Sequence, residues 1–424
     1  MTTGSMPAQR GRAISTLSRA NRTNWLPVAW VALFFVSRFK VTAGRNVQLA
    51  TEADISPEIA VEVAIYLMVG IAAAAAWLRW RPIGRQSWGL RLLVAFAVLA
   101  PLSGLWSIIP LFSFVRGGQV LVVALLSAVT IYSWRRGLRS FQDDWRRIWL
   151  TFLVVVVLLG LSGLVWTGQW AGGRFAWEGV HTNTAASFLA AAGIVAISMF
   201  FDRGWGLPER VRRLLPLAMA FVFALLLLTV TRSAWAGFVV GGVLTYATVR
   251  SIRLDRRALV LAVLAAIVFL VGSFYSAEVV DYVLRGQTVS TFASVSGRTD
   301  VWNVALDRVA EQPFLGFGYG AGRIILIDAV PWAGTSHNLW ISVLLSLGVV
   351  GVTVVSLLLG WVLFRAVSIQ RWSPGPHGNL AIGLVTFIII NGVAQQPLAL
   401  PGEGLTAMGL LVAALSVGRF GSSP

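Results

Sequence analysis

The sequence predicts an all-α integral membrane protein, and three observations lead there. Hydrophobic residues make up 57% of the 424-residue chain and charged residues 12%, with a mean hydropathy of +0.77. That is more apolar surface than a soluble chain of this length can hide in a core. Apolar runs approaching the roughly 20 residues needed to cross about 30 Å of hydrocarbon as a helix recur along the chain. Arginine then concentrates in every second connection between them, the pattern of loops retained in the cytoplasm.

Taken in order, twelve runs qualify as spans, near residues 25–40, 59–78, 92–109, 115–133, 148–167, 184–201, 214–230, 233–249, 258–275, 338–364, 379–396 and 404–418. The basic tail 1–24 and connections such as 79-RWRPIGRQSWGLR-91, 134-WRRGLRSFQDDWRR-147 and 203-RGWGLPERVRR-213 fall on one side. Both termini are therefore expected in the cytoplasm, with one polytopic membrane domain over 1–424 and a long, partly helical extracytoplasmic loop, 276–337, between helices nine and ten. The tail reads as retained, since no small-residue cleavage site follows the first apolar run. A net charge of +17 could also mean nucleic-acid binding, but these charges are spread over separate loops facing phospholipid and read as a topology signal. The chain has no cysteine, hence no disulfide and no thiolate metal site.

The outward side carries the polar chemistry. Arg174, Arg232 and Arg298 break the positive-inside rule, and a cation near the membrane needs compensation. Each could snorkel to lipid headgroups. Alternatively the three share one anion, because guanidinium groups hold phosphate through paired donors. Within the loop, 299-TDVWNVALDRVAEQP-313 predicts a surface helix capped by Thr299, with Val301, Trp302, Ala305, Leu306, Val309 and Ala310 on its apolar face. The glycines of 316-GFGYGAG-322 lack the strand context of a nucleotide loop and read as a flexible turn.

Of three histidines, His337 in 335-TSHNLWISVLLSLG-348 stands at the threshold of a long apolar run. An imidazole titrating near 6.5 could take a proton from a sugar hydroxyl there, or it could simply cap the helix. His181 borders the Arg174 loop. His377 lies in an inner Pro/Gly connection and is assigned no role. No metal-ligand spacing accompanies His337, so no metal and no cofactor are expected.

In this order, "LWS..P" at 105–110, "R...EGVHTN" at 174–183, "TRS" at 231–233, "SGRTDVW" at 296–302, "PFLGFGYG" at 313–320 and "SHN" at 336–338 resemble the O-antigen ligase and polymerase superfamily over roughly residues 90 to 350. The resemblance implies a GT-C-like glycosyltransferase that takes its glycan from a polyprenyl-pyrophosphate carrier, with a glycan or glycolipid acceptor, needing neither nucleotide sugar nor metal. It also implies roles: Arg174 and Arg232 on the donor pyrophosphate, Arg298 supporting them, His337 activating the acceptor, and Asn183, Asn338 and His181 as supporting neighbours. "VHTN" replaces an Asn-Pro-Asn type of turn found in many relatives. Ligation to a different acceptor and polymerisation of lipid-linked repeats share these motifs. Transport of the lipid-linked sugar is a third reading, opposed by the scarcity of acids within the spans, where Glu62 alone stands.

Overall fold

The computed structural model of the protein describes residues 25–36, 57–80, 86–165, 173–177, 180–249, 298–330 and 335–417. These residues are overwhelmingly helical. The helices are α1 (Trp25–Phe35), α2 (Pro57–Trp80), α3 (Trp88–Leu102), α4 (Pro110–Arg135), α5 (Phe141–Val165), α6 (Thr182–Phe201), α7 (Glu209–Leu228), α8 (Arg232–Ala247), α9 (Arg298–Glu311), α10 (Gly322–Ala329), α11 (Leu339–Trp372), α12 (Pro376–Gly392) and α13 (Glu403–Val417).

Among the described residues, seven helices are long and apolar enough to cross a membrane: α3, taken with the 3-10 turn that follows it, and α2, α4, α5, α6, α7 and α11. The expected spans at 25–40, 379–396 and 404–418 correspond to the shorter apolar helices α1, α12 and α13, and the one at 233–249 to the 16-residue α8. The expected span at 258–275 lies outside the described residues, as does the tail 1–24. By length, then, the twelve-span count is only partly met.

α6, α12 and α13 form the centre of the bundle and are buried on nearly all sides. Small residues permit this. Gly241 of α8 and Gly383 of α12 meet backbone to backbone, such that a Cβ on Gly241 would lie 2.7 Å from the Gly383 carbonyl oxygen. Helices in lipid gain from such close approach because lipid tails offer no apolar penalty to drive them together. Polar groups then tie α6, α12 and α8: Ser198 Oγ donates to Asn379 Oδ1 at 2.7 Å, and Asn379 Nδ2 donates to Thr245 and Thr248 of the α8 end. Around them the exposed side chains are large and apolar, such as Leu67, Ile71, Leu158 and Leu217, as lipid contact requires.

α11 is two arms. Gly348 interrupts it at φ 62° and ψ −163°, leaving Leu339–Leu347 before the break and 349–372 after it. The second arm alone reaches about 36 Å, enough for a bilayer. The turn 313–318 docks into the break: Val349 N donates to the Pro313 carbonyl at 2.8 Å, Phe317 N to Leu345 at 2.9 Å and Gly318 N to Ser346 at 2.9 Å. Backbone groups released by the kink are thereby satisfied, which non-helical backbone at membrane depth demands. A Cβ at Gly348 would lie 2.2 Å from the Phe314 carbonyl carbon, so glycine is required twice over, by space and by φ.

The 316–322 turn is consequently packed and not loose. Ile108 N donates to the Phe317 carbonyl, Tyr319 N to Ser103 Oγ, and Ser113 Oγ to the Tyr319 carbonyl at 2.9 Å. The "LWS..P" and "PFLGFGYG" strings are two halves of one contact. α9 forms at Arg298–Glu311 as expected from sequence, but its buried stripe is Val301, Ala305 and Val309, while Leu306 is 46% exposed and Ala310 is exposed. The stripe follows an i, i+4, i+8 line, narrower than the face read from sequence.

Candidate functional site

One end of the bundle gathers the starts of α6, α8, α9 and α11 with the end of α12. Arg174 reaches it from the connection preceding α6. Its Nε donates to the Thr229 carbonyl at 2.9 Å, and Nη2 donates to Asn183 Oδ1 at 3.1 Å and Thr231 Oγ1 at 3.0 Å. Thr229 is the C-cap of α7, so the guanidinium satisfies a carbonyl left over at that helix end. Its backbone is pinned alongside, with Phe175 N donating to the Leu228 carbonyl at 2.9 Å.

Between α7 and α8, Val230 sits at φ 48°, a left-handed conformation that a β-branched residue adopts at a cost of roughly 1–2 kcal/mol. The tight reversal places Thr231 against Asn183 and sets Arg232 at the first position of α8. Next to Arg232, Ser233 Oγ donates to Asn391 Oδ1 at 3.0 Å. Asn391 Nδ2 donates to Ser187 Oγ at 3.1 Å, and Ser187 in turn bonds the Asn183 carbonyl.

The His337 side is built on the α12–α13 connection. Arg298 Nη1 donates to the Ala394 carbonyl at 3.0 Å and Asn338 Nδ2 to the Val393 carbonyl at 3.1 Å, while Trp302 Nε1 donates to the Ser336 carbonyl at 2.8 Å. Asn338 is the N-cap of α11, its Oδ1 accepting from Trp340 N and Ile341 N. His337 lies between them, half-buried, at φ 49°. A histidine in this region is held there by its surroundings, and such strain collects at working sites. Capping is thus done by Asn338, and the reading of His337 as the helix cap falls away. His181 instead caps α6, with Nδ1 accepting from Asn183 N at 3.2 Å.

Electrostatics tie the groups together. Burial lowers the Arg298 guanidinium below its ordinary value, and the charges of Arg232 and Arg174 lower it further. Burial likewise brings His337 down to about 4, followed by the effects of Arg298 and His181. The ordinary value near 6.5 expected from sequence is therefore corrected, since a half-buried ring beside cations disfavours its own protonation. Arg174, Arg232, Arg298, His337, His181, Asn183 and Asn338 all belong to this one end. Among the described residues, no group of three or more His, Asp or Glu side chains could hold a metal ion.

Sequence reasoning missed Asn391 and Gln396, the latter accepting from Ser342 Oγ at 2.7 Å, and gave Trp302 and Ser336 no role beyond their place in the motifs. An Asn ending an apolar run and the string 391-NGVAQQP-397 were the available signal, polar groups at membrane depth being costly without a role. A second polar cluster stands at the starts of α2 and α4. Glu62 pairs with Arg116, and Gln119 bonds both at 3.1 Å. Buried Tyr66 and Tyr319 adjoin it, each hydroxyl lacking a hydrogen-bond partner among the described residues.

No curated protein matches the sequence. Residues 217–356, running from within α7 through α8, α9 and α10 to just beyond the break in α11, match the family model described as O-antigen ligase. The match thus contains Arg232, Arg298, His337 and Asn338, and it excludes Arg174 and Asn183. Over that segment, about a third of the chain, the sequence is similar to O-antigen ligases, and the apolar helices around it are consistent with an integral membrane protein.

Proposed function

We propose that the protein is a glycosyltransferase of the O-antigen-ligase type, moving a glycan from a polyprenyl-pyrophosphate carrier to an acceptor hydroxyl at the outer face of the cytoplasmic membrane. The observation that carries this reading is the convergence of Arg174, Arg232 and Arg298 with His337 at one end of the bundle. The basic connections at the other end support an inward orientation for both termini and an outward one for this site. Twelve spans remain the topology proposed, with one of them in 258–275.

In the reaction, the acceptor oxygen bonds to the anomeric carbon while the bond from that carbon to the pyrophosphate oxygen breaks and takes its electron pair with it. The acceptor proton passes to His337. Charge growing on the leaving pyrophosphate is met by Arg174 and Arg232, with Arg298 adjacent, and fixed cations of this kind stabilise a transition state without reorganising. The donor bond supplies the driving force, so neither a nucleotide sugar nor a metal is invoked. An imidazole held near 4 is unprotonated at neutral pH and available as a base, though a weak one. A bound pyrophosphate offsets the cationic field on His337 and strengthens it as a base once the donor is seated.

The test is transfer of a glycan from purified lipid-linked donor to acceptor in proteoliposomes. Arg174→Ala and Arg232→Ala should each slow transfer at least about tenfold, because a charge-assisted donor is worth roughly 1.5–3 kcal/mol. Lysine at either position should restore activity only in part, lacking the planar fork. Wild-type rates in both alanine variants would sink the proposal. So would transbilayer movement of the labelled donor with no glycosidic bond formed, which would make the protein a transporter.

A further inference from the structure

The opposite end of the bundle holds a cavity of about 750 Å³. It is bounded by the start of α5, the α6–α7 connection, the end of α11 and the start of α12, whereas the arginine site uses the other ends of α6, α11 and α12. Cavities of this size hold small molecules or headgroups. Two of its walls are Trp145 and Trp205, stacked with ring centroids 6.2 Å apart and planes inclined by 16°. Trp205 Nε1 donates to Ser198 Oγ, but the buried Trp145 Nε1 has no hydrogen-bond partner among the described residues.

The remaining polar lining is rich in donors. Arg203 and Gln142 are exposed into the region, and Ser373 stands at the rim. His377, assigned no role from sequence, also lines the cavity, with its ring edge-on to Phe141 at 5.3 Å. Burial lowers His377 to about 4, with Arg365 adding to the effect, so the ring is neutral and this end is electropositive through its arginines. Asp202 is the carboxylate in the lining. Burial raises its pKa, and its Oδ1 is already taken by Gly204 N at 2.8 Å. Aromatic and proline walls beside a guanidinium suit a ligand with a charged phosphate on an apolar stem.

We propose that this cavity binds the headgroup of an anionic phospholipid from the adjoining leaflet, with Arg203 on the phosphate and the Trp145–Trp205 pair against the glycerol. Such a lipid would brace the ends of α6, α11 and α12, whose opposite ends carry Asn183, Asn338 and Asn391. The assignment does not depend on the glycosyltransferase reading, because it concerns residues that take no part in transfer.

The experiment is native mass spectrometry of the full-length, delipidated protein in detergent, titrated with phosphatidylglycerol, with phosphatidylcholine as the zwitterionic comparison. One phosphatidylglycerol should be retained, at least about tenfold more tightly than phosphatidylcholine. Arg203→Glu, which reverses the charge, and Ser373→Trp, which blocks the rim, should each weaken retention at least about tenfold, with melting of the lipid-free protein unchanged. Wild-type retention in both variants would overturn the proposal, as would equal retention of the two lipids. Displacement of bound phosphatidylglycerol by millimolar inorganic phosphate would also overturn it, showing a free-phosphate site in place of a lipid site.

Discussion

At the scale of single residues, the proposed mechanism depends on His337 being an unprotonated imidazole. With its pKa lowered to about 4, transfer should hold steady from neutral pH down to about 5 and fall only as pH drops through about 4. An acid limb near 6.5 would mean that the ring is less buried than described, or that bound donor has restored its basicity; profiles of kcat and kcat/KM separate the two, since only kcat/KM reports the free enzyme. Arg298→Ala removes one of the charges that lower His337, so the acid limb of the residual activity should move upward while burial still keeps it below 6.5. His337→Ala should lose on the order of 10²–10⁴-fold in rate with donor binding retained, and His337→Gln should be nearly as impaired. Asn338 already caps α11, which makes this a clean test: glutamine at 337 has no cap to rescue, and full activity in that variant would remove the base assignment.

At the scale of elements, the broken α11 and the turn docked into it are the feature on which the site rests. Gly348→Val places a branched side chain at φ 62° and within 2.2 Å of the Phe314 carbonyl carbon. The expected result is a drop in detergent melting temperature together with lost activity, because the 313–318 turn can no longer satisfy the backbone on either side of the break. An unchanged melting curve would mean that the two arms can be joined straight. Close packing of α8 on α12 gives an independent element-scale test. Gly383→Leu would drive a side chain into Thr245 and the Gly241 backbone, and the helices that carry Arg232 and Asn391 should separate, with thermal stability and transfer falling in step.

For the whole molecule, ligation and polymerisation predict different cells. In a cell lacking the protein, long lipid-linked chains that are never attached to an acceptor are expected. Accumulation of single lipid-linked repeats would instead assign polymerisation, which the same arginine and histidine arrangement could serve. The Glu62–Arg116–Gln119 cluster fastens α2 to α4. Glu62→Ala leaves Arg116 largely buried without its carboxylate, a loss of about 3–5 kcal/mol for a broken buried pair, which should appear as a lower melting temperature. Glu62→Gln keeps the hydrogen bonds and should lose less.

The helical class, the alternation of basic connections and the ordered motifs could be read from the sequence, because each of these is a local property: an apolar run, a charge count, a string. Arg174, Arg232, Arg298, His337, Asn183 and Asn338 were singled out as candidates in this way. Only tertiary structure decided how they meet. Arg174 and Thr231 are joined through Asn183, and Arg298 and Asn338 through neighbouring carbonyls of a connection some 55 to 96 residues away in the chain. The fall of His337 to about 4 depends on burial and on neighbours distant in sequence, so no inspection of "SHN" could supply it. Asn391 and Gln396 were overlooked for the same reason, since their hydrogen bonds run to α6, α8 and α11 and not along their own segment. Apolar length specifies that a helix exists; the contacts that polar groups must find in a water-poor bundle specify where it goes.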